Sequence, residues 1–109
     1  MTLCGYRIMW VIAMFDLPVD TKAARKAYAG FRKALLKDGF RRMQFSVYAR
    51  FCASREAAEA HIARVEAALP DDGEIRLLVI TDAQFGRMRV YFGRMRQSIE
   101  KPPKQLEFF

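Results

Sequence analysis

Ile8-Met9-Trp10-Val11-Ile12-Ala13-Met14-Phe15, broken off by Asp16-Leu17-Pro18, is the stretch on which the fold turns. A near-continuous apolar run of this length predicts a strand buried on both faces, and therefore central in a sheet. Pro18 prevents easy continuation, and Asp20 or Thr21 is placed to cap the next segment. Over residues 21–38 the period changes. Ala24, Ala27, Tyr28, Phe31, Ala34 and Leu35 recur at three-and-four spacing and predict an amphipathic helix, which Gly39 stops as a left-handed cap.

Residues 41–51 alternate with period two. Met43, Phe45, Val47, Ala49 and Phe51 are expected to face the core, and Arg42, Gln44, Ser46, Tyr48 and Arg50 the other side. Ser54 opens a second helix, with Glu56 in its first turn and Ala58, Ile62, Val65 and Leu69 as its buried stripe. Pro70 and Asp71-Asp72-Gly73 end it. Residues 74–81 form another strand, and Val90-Tyr91-Phe92 a further one after a turn around residues 84–86. The order predicts an α/β sandwich, ferredoxin-like βαββαβ, with helices over one sheet face. It requires a hairpin near residues 43–51, which read either as one long bent strand or as the first of a pair.

The ferredoxin-like domain is expected to occupy residues 1–100. Residues 101–109 make a spacer stiffened by Pro102-Pro103 and a short strand containing Leu106, Phe108 and Phe109. Such an end is an association hazard in water, so it is expected to pair with a sheet edge, favouring a homodimer with exchanged C-terminal strands.

Composition narrows the class. The 109 residues suit one domain, and 52% hydrophobic with 28% charged residues excludes a disordered chain. Two cysteines exclude a disulfide scaffold. No apolar run approaches the ~18 residues of a membrane span, and no secretory signal pattern is present. A cytoplasmic protein with no membrane partner is expected.

The net charge is +7, and the surplus lies in one half. Residues 1–55 carry 11 basic and 3 acidic side chains, whereas residues 56–109 carry 8 and 9. On the first helix Lys22, Lys26, Lys33 and Lys37 line one side, with Arg25 and Arg32 beside them; Arg41, Arg42 and Arg50 come next along the chain. Between Thr21 and Arg55 only Asp38 opposes ten basic residues. A same-sign face without partners destabilises the chain alone, so phosphate is its natural complement. Arg87, Arg89, Arg94 and Arg96 form a second basic set, interleaved with Tyr91 and Phe92, for which core packing is the simpler reading.

Asp16, at the C-terminal end of the central strand, is either a turn and capping carboxylate or a functional one. Magnesium keeps most of its waters and needs one or two carboxylates plus phosphate oxygens. A two-fold axis nearby would add a second Asp16 and suffice for a hydrolytic metal at a dimer seam. His61 reads as a helix-surface residue rather than a general acid or base. Cys4 and Cys52 lack the spacing of a zinc site.

The first strand ending Met14-Phe15-Asp16-Leu17-Pro18, the basic helix, and Gly39-Phe40-Arg41-Arg42-Met43-Gln44-Phe45-Ser46-Val47-Tyr48 together resemble a known family. It is the small ferredoxin-like CRISPR-associated endonuclease family that partners the CRISPR integrase in spacer acquisition. The resemblance implies a homodimer with exchanged C-terminal strands, bridging integrase dimers and carrying double-stranded DNA. It also implies metal-dependent cleavage of DNA or RNA, with Asp16 as magnesium ligand and catalytic carboxylate. Arg42 and Tyr48 match positions the family associates with nuclease activity or substrate contact. Phe15 stands where many members have tyrosine. The expected nucleic-acid-binding set is Lys22, Arg25, Lys26, Arg41, Arg42, Tyr48 and Arg50. The alternative is a stand-alone metal-dependent endoribonuclease or a toxin-type ferredoxin-like RNA-binding module.

Overall fold

A computed structural model describes residues 8–94. In chain order these form β1 (Met9–Asp16), α1 (Lys22–Lys37), β2 (Arg41–Gln44), β3 (Val47–Cys52), α2 (Arg55–Ala67), β4 (Glu74–Thr81) and a short α3 (Asp82–Gly86). The sheet runs β2-β3-β1-β4 with every neighbouring pair antiparallel. This is the ferredoxin-like arrangement, with β1 central as its unbroken apolar run requires.

Paired residues of an antiparallel ladder point to the same face. Met9, Val11, Ala13 and Phe15 of β1 therefore share a face with Cys52 and Tyr48 of β3 and with Ile75, Leu77 and Val79 of β4. That face packs on Phe31 and Leu35 of α1, on Ala58 and Val65 of α2, and on Phe40 to form the core. The other face carries Trp10, Ile12, Met14, Val47, Ala49, Phe51, Leu78 and Ile80, with neither α1 nor α2 over it. Phe51 and Leu78 are exposed there, while Phe85 of α3 covers one corner by stacking on Trp10 with ring centroids 3.9 Å apart.

The helix boundaries are set by their caps. Thr21 Oγ1 accepts from the Ala24 backbone N–H at 3.0 Å, and Ser54 Oγ accepts from that of Ala57 at 3.0 Å. Gly39 ends α1 at φ +92, and the Phe40 N–H reaches back to the Leu35 carbonyl at 3.0 Å. Phe40 is thereby driven into the core. A Cβ on Gly39 would lie 2.8 Å from Arg50 Nε and displace that guanidinium, while the positive φ is what favours glycine there.

Several expectations are corrected. The segment 41–51 is neither one strand nor the first of a pair; it contains the hairpin. Phe45 and Ser46 form its turn, with Ser46 at φ 65, and the β2–β3 register shifts between Arg42 and Gln44. The shift breaks the period of two. Phe45 is 74% exposed and Phe51 is also exposed, whereas Tyr48, opposite Ala13, is 1% exposed in the core. Downstream, residues 84–86 lie in α3 rather than a turn, its start fixed by a capping box at Thr81 and Gln84. Val90, Tyr91 and Phe92 lie in no strand, and Tyr91 is 78% exposed, so core packing does not explain it. Leu69 is likewise exposed instead of continuing the buried stripe of α2. The expected tail strand of residues 101–109 lies outside the described residues, as do Cys4 and Arg96. Among the described residues no helix is long and apolar enough to cross a membrane.

Candidate nucleic-acid interface

Asp16 is the last residue of β1 and is exposed, since the sheet ends there and Leu17-Pro18 turns the chain toward α1. Its carboxylate has no hydrogen-bond or ion-pair partner among the described residues. Glu74 is its register partner on β4, but Glu74 Oε2 is 3.1 Å from Arg76 Nη2. Among the described residues no group of three or more His, Cys, Asp or Glu side chains is arranged to hold a metal. An exposed, unengaged carboxylate of this kind is a hard oxygen donor. It fits a magnesium ion whose shell is completed by water and phosphate, and not a metal enclosed by protein ligands.

Phe15, the neighbour of Asp16, ties this end of the sheet to the hairpin. Its backbone N–H donates to the Ser46 carbonyl at 3.1 Å, which helps hold Ser46 in its left-handed conformation. Its ring packs on Tyr28, Phe31 and Tyr48 with centroids 5.2–5.8 Å apart. Around that aromatic cluster lies a notch of about 310 Å³ lined by Tyr28, Ala29, Arg32, Arg42, Phe45, Ser46 and Tyr48. Arg32 Nε donates to the Tyr48 hydroxyl at 2.8 Å, and the Tyr28 and Ser46 hydroxyls lie 3.0 Å apart. The Arg42 guanidinium stands 5.9 Å from the Phe45 ring centroid. No acidic side chain lines the notch.

The structure does not gather the remaining expected site residues equally. Lys22, Arg25 and Lys26 are exposed on the first turns of α1, where Arg25 Nη1 donates to the Val19 carbonyl at 3.1 Å. Arg42, paired with Tyr48, leans to the helix side of the sheet; Arg41, paired with Ala49, leans to the open face. Arg50 is half-buried and occupied, its Nε donating to the Asp38 carbonyl at 3.0 Å and its Nη1 to the Phe51 carbonyl at 2.6 Å. It closes the C-terminal end of α1. Tyr48 acts through its hydroxyl on Arg32 rather than from the surface. Sequence reasoning missed Tyr28, Phe45 and Ser46. The available signal was the i, i+4 pair Tyr28 and Arg32, which shares one helix face.

His61 is remote from this region. Its Nδ1 lies 2.7 Å from Asp38 Oδ2 at the C-terminal end of α1, with Arg64 Nη1 3.5 Å from the other carboxylate oxygen. Asp16 precedes the opposite end of α1, whose 16 residues span about 24 Å. The histidine is a tie between α1 and α2. Cys52 lies in the core, where burial pushes its thiol up; Arg50 opposes the rise and Asp38 adds to it. That is the environment of an unreactive thiol.

Comparison with known proteins shows what the chain is similar to. A family model described as CRISPR associated protein Cas2 matches residues 9–88. A protein of Parvibaculum lavamentivorans named CRISPR-associated endoribonuclease Cas2 is 61% identical over 101 residues, covering 93% of this chain and all of that relative. Relatives of the same name from Paracidovorax avenae and Flavobacterium psychrophilum are 50% and 49% identical. These alignments cover 98% and 95% of this chain, and 99% and 90% of the two relatives.

Proposed function

Since the chain belongs to the Cas2 family of CRISPR-associated proteins, we propose that it serves CRISPR adaptation as a homodimer. In this reading the dimer holds duplex DNA and bridges integrase dimers during spacer acquisition. The observation that carries the reading is the uncompensated cationic surface of α1 and the adjoining hairpin. Lys22, Arg25, Lys26, Arg32 and Arg42 are all exposed, and none has an acidic partner among the described residues. Such a surface binds phosphates without reading sequence. The open apolar face bearing Trp10, Phe51 and Leu78 supports the homodimer, because a second copy would bury it.

A second reading, hydrolysis of RNA, is favoured by the relatives' name, CRISPR-associated endoribonuclease Cas2, and by the exposed carboxylate of Asp16, unengaged among the described residues. Asp16 would hold magnesium. When bound, the ion supplies Lewis-acid polarisation of a phosphoryl oxygen and a water of lowered pKa. The chain's own part is to offer the carboxylate at a rigid strand end and to hold the flanking phosphates with Arg32 and Arg42. One carboxylate per chain makes the partner's copy the natural source of a second.

A pull-down with the cognate integrase, with and without a short DNA duplex, separates the two readings when wild type and Asp16→Ala are compared. Retention of integrase and duplex by both proteins, with cleavage of RNA lost only in the variant, supports bridging plus an Asp16-dependent hydrolysis. Failure of the wild type to bind integrase rejects the bridging role, and a magnesium-dependent cleavage assay on RNA and DNA then decides the second reading.

A further inference from the structure

Phe45 carries no charge with which to hold a duplex phosphate. It stands at the tip of the β2–β3 turn, with three quarters of its surface in solvent and one neighbouring ring, Tyr28, at 6.3 Å and 25°. A phenylalanine kept at a turn tip, where Asn, Gly or Ser is the ordinary choice, offers an aromatic surface to the outside. What surrounds it is specific. Arg42 lies beside the ring, Arg32 is held across the notch by Tyr48, and the Tyr28 and Ser46 hydroxyls lie between. The terminal nitrogens of Arg32 and all of Arg42's donors have no hydrogen-bond partner among the described residues.

An aromatic ring, two guanidiniums with unengaged terminal nitrogens among the described residues, two hydroxyls and no acid within one notch match the parts of one nucleotide: a base to stack and a phosphate to neutralise. A volume of about 310 Å³ is at the small end of ligand sites. A base inside a helix is already stacked on both faces, so an exposed ring gains only from an unpaired one.

We propose that the notch between α1 and the β2–β3 turn is a subsite for a single unpaired nucleotide flanking a duplex. Phe45 stacks the base, Arg32 and Arg42 hold its phosphate, and Tyr48 is the positioning residue for Arg32. The proposal rests on the nucleic-acid-binding reading above and adds strand state to it. It assigns to this chain the recognition of the junction where paired strands separate.

The test is fluorescence anisotropy with three labelled duplexes: blunt, with a short single-stranded DNA extension, and with an RNA extension. Wild type is compared with Phe45→Leu and Phe45→Trp, both at an exposed position that leaves folding intact. One base–aromatic stack corresponds to a preference of about tenfold for an extended duplex over the blunt one. Phe45→Leu is expected to abolish that preference, and Phe45→Trp to retain it. The extension preferred more strongly identifies DNA or RNA as the source of the nucleotide. Blunt binding without any preference in the wild type, or a preference that survives Phe45→Leu, overturns the subsite and leaves duplex binding standing. Absence of binding to all three overturns the nucleic-acid reading and the subsite together.

Discussion

Arg32 Nε donates to the Tyr48 hydroxyl at 2.8 Å, so the one polar atom of a core side chain is satisfied by a cation whose other end stands in solvent. The link joins α1 to β3 across the notch, and it makes the interior accountable for where a surface charge points. A buried hydroxyl bonded to a charged donor is worth more than a neutral pair, but the exposed guanidinium can rehydrate when its partner is removed.

Tyr48→Phe is therefore expected to destabilise the domain by about 1 kcal/mol, read from the urea midpoint at unchanged slope. Tyr48→Ala removes the whole ring beside Phe15 and is expected to cost about 3–5 kcal/mol. The positioning role has a separate signature. In a double-mutant cycle, Tyr48→Phe should lower nucleic-acid affinity in wild type and have no further effect once Arg32 is Ala. Additive losses would mean that Tyr48 does not act through Arg32.

Neighbouring arginines need not contribute alike. Arg42 pairs with Tyr48 on the helix side of the sheet, whereas Arg41 pairs with Ala49 on the open side. If the duplex lies along α1 and the notch, Arg42→Ala should weaken binding and flatten the salt dependence by about 0.9 in log–log slope, one phosphate's worth. Arg41→Ala should leave the slope unchanged. Equal effects from the two substitutions would place the duplex over the sheet edge instead.

These contrasts also mark what the sequence could reveal. β1 was legible because a central strand has no polar face to interrupt its apolar run, and both long helices were legible from Thr21, Ser54 and Gly39 at their ends. The hairpin was not. Its turn uses a serine at positive φ where glycine or asparagine is the usual signal, and the alternation of residues 41–51 continues unbroken through it. Tyr48 was misassigned because both faces of β3 carry apolar side chains, and only its pairing with Ala13 of β1 shows that it takes the helix-covered one. For the site, Asp16 and the arginines announced themselves by charge. Phe45 did not, since an aromatic residue in an alternating segment is indistinguishable from core until the fold places it. Arg50 illustrates the converse: its charge suggested a phosphate contact, but its Nε caps α1 through the Asp38 carbonyl.

The buried thiol gives a pH dependence of defined sign. Cys52 titrates above its ordinary value of 9.0 in the folded protein because burial disfavours the thiolate. Above the unfolded value the unfolded chain has lost this proton while the folded one keeps it. The contribution is therefore fully present below the unfolded pKa and is lost as pH rises through the folded one. Stability of wild type relative to Cys52→Ala should be constant near neutrality and fall above about pH 9, measured by urea unfolding at successive pH values. In a Cys4→Ser background, alkylation of Cys52 should be slow in buffer and fast in denaturant. A difference between wild type and Cys52→Ala that does not decline at high pH would remove the thiol as its source.

The open sheet face predicts how the chain associates. Leu78 is 48% exposed near the middle of β4, opposite Ile12 and on the same side as Phe51, and it makes no contribution to the helix-covered core. A charge placed there is solvated in the monomer and desolvated without a partner in any assembly that buries the face, a cost of several kcal/mol. Leu78→Lys is expected to fold with unchanged far-UV circular dichroism and to sediment as a monomer at concentrations where wild type is dimeric. Trp10, the single tryptophan, lies on the same face and should report the same event as a red-shifted emission on dissociation. A Leu78→Lys protein that remains dimeric would show that copies meet through another surface and that the apolar face has a different occupant. A monomeric wild type would reject the homodimer itself.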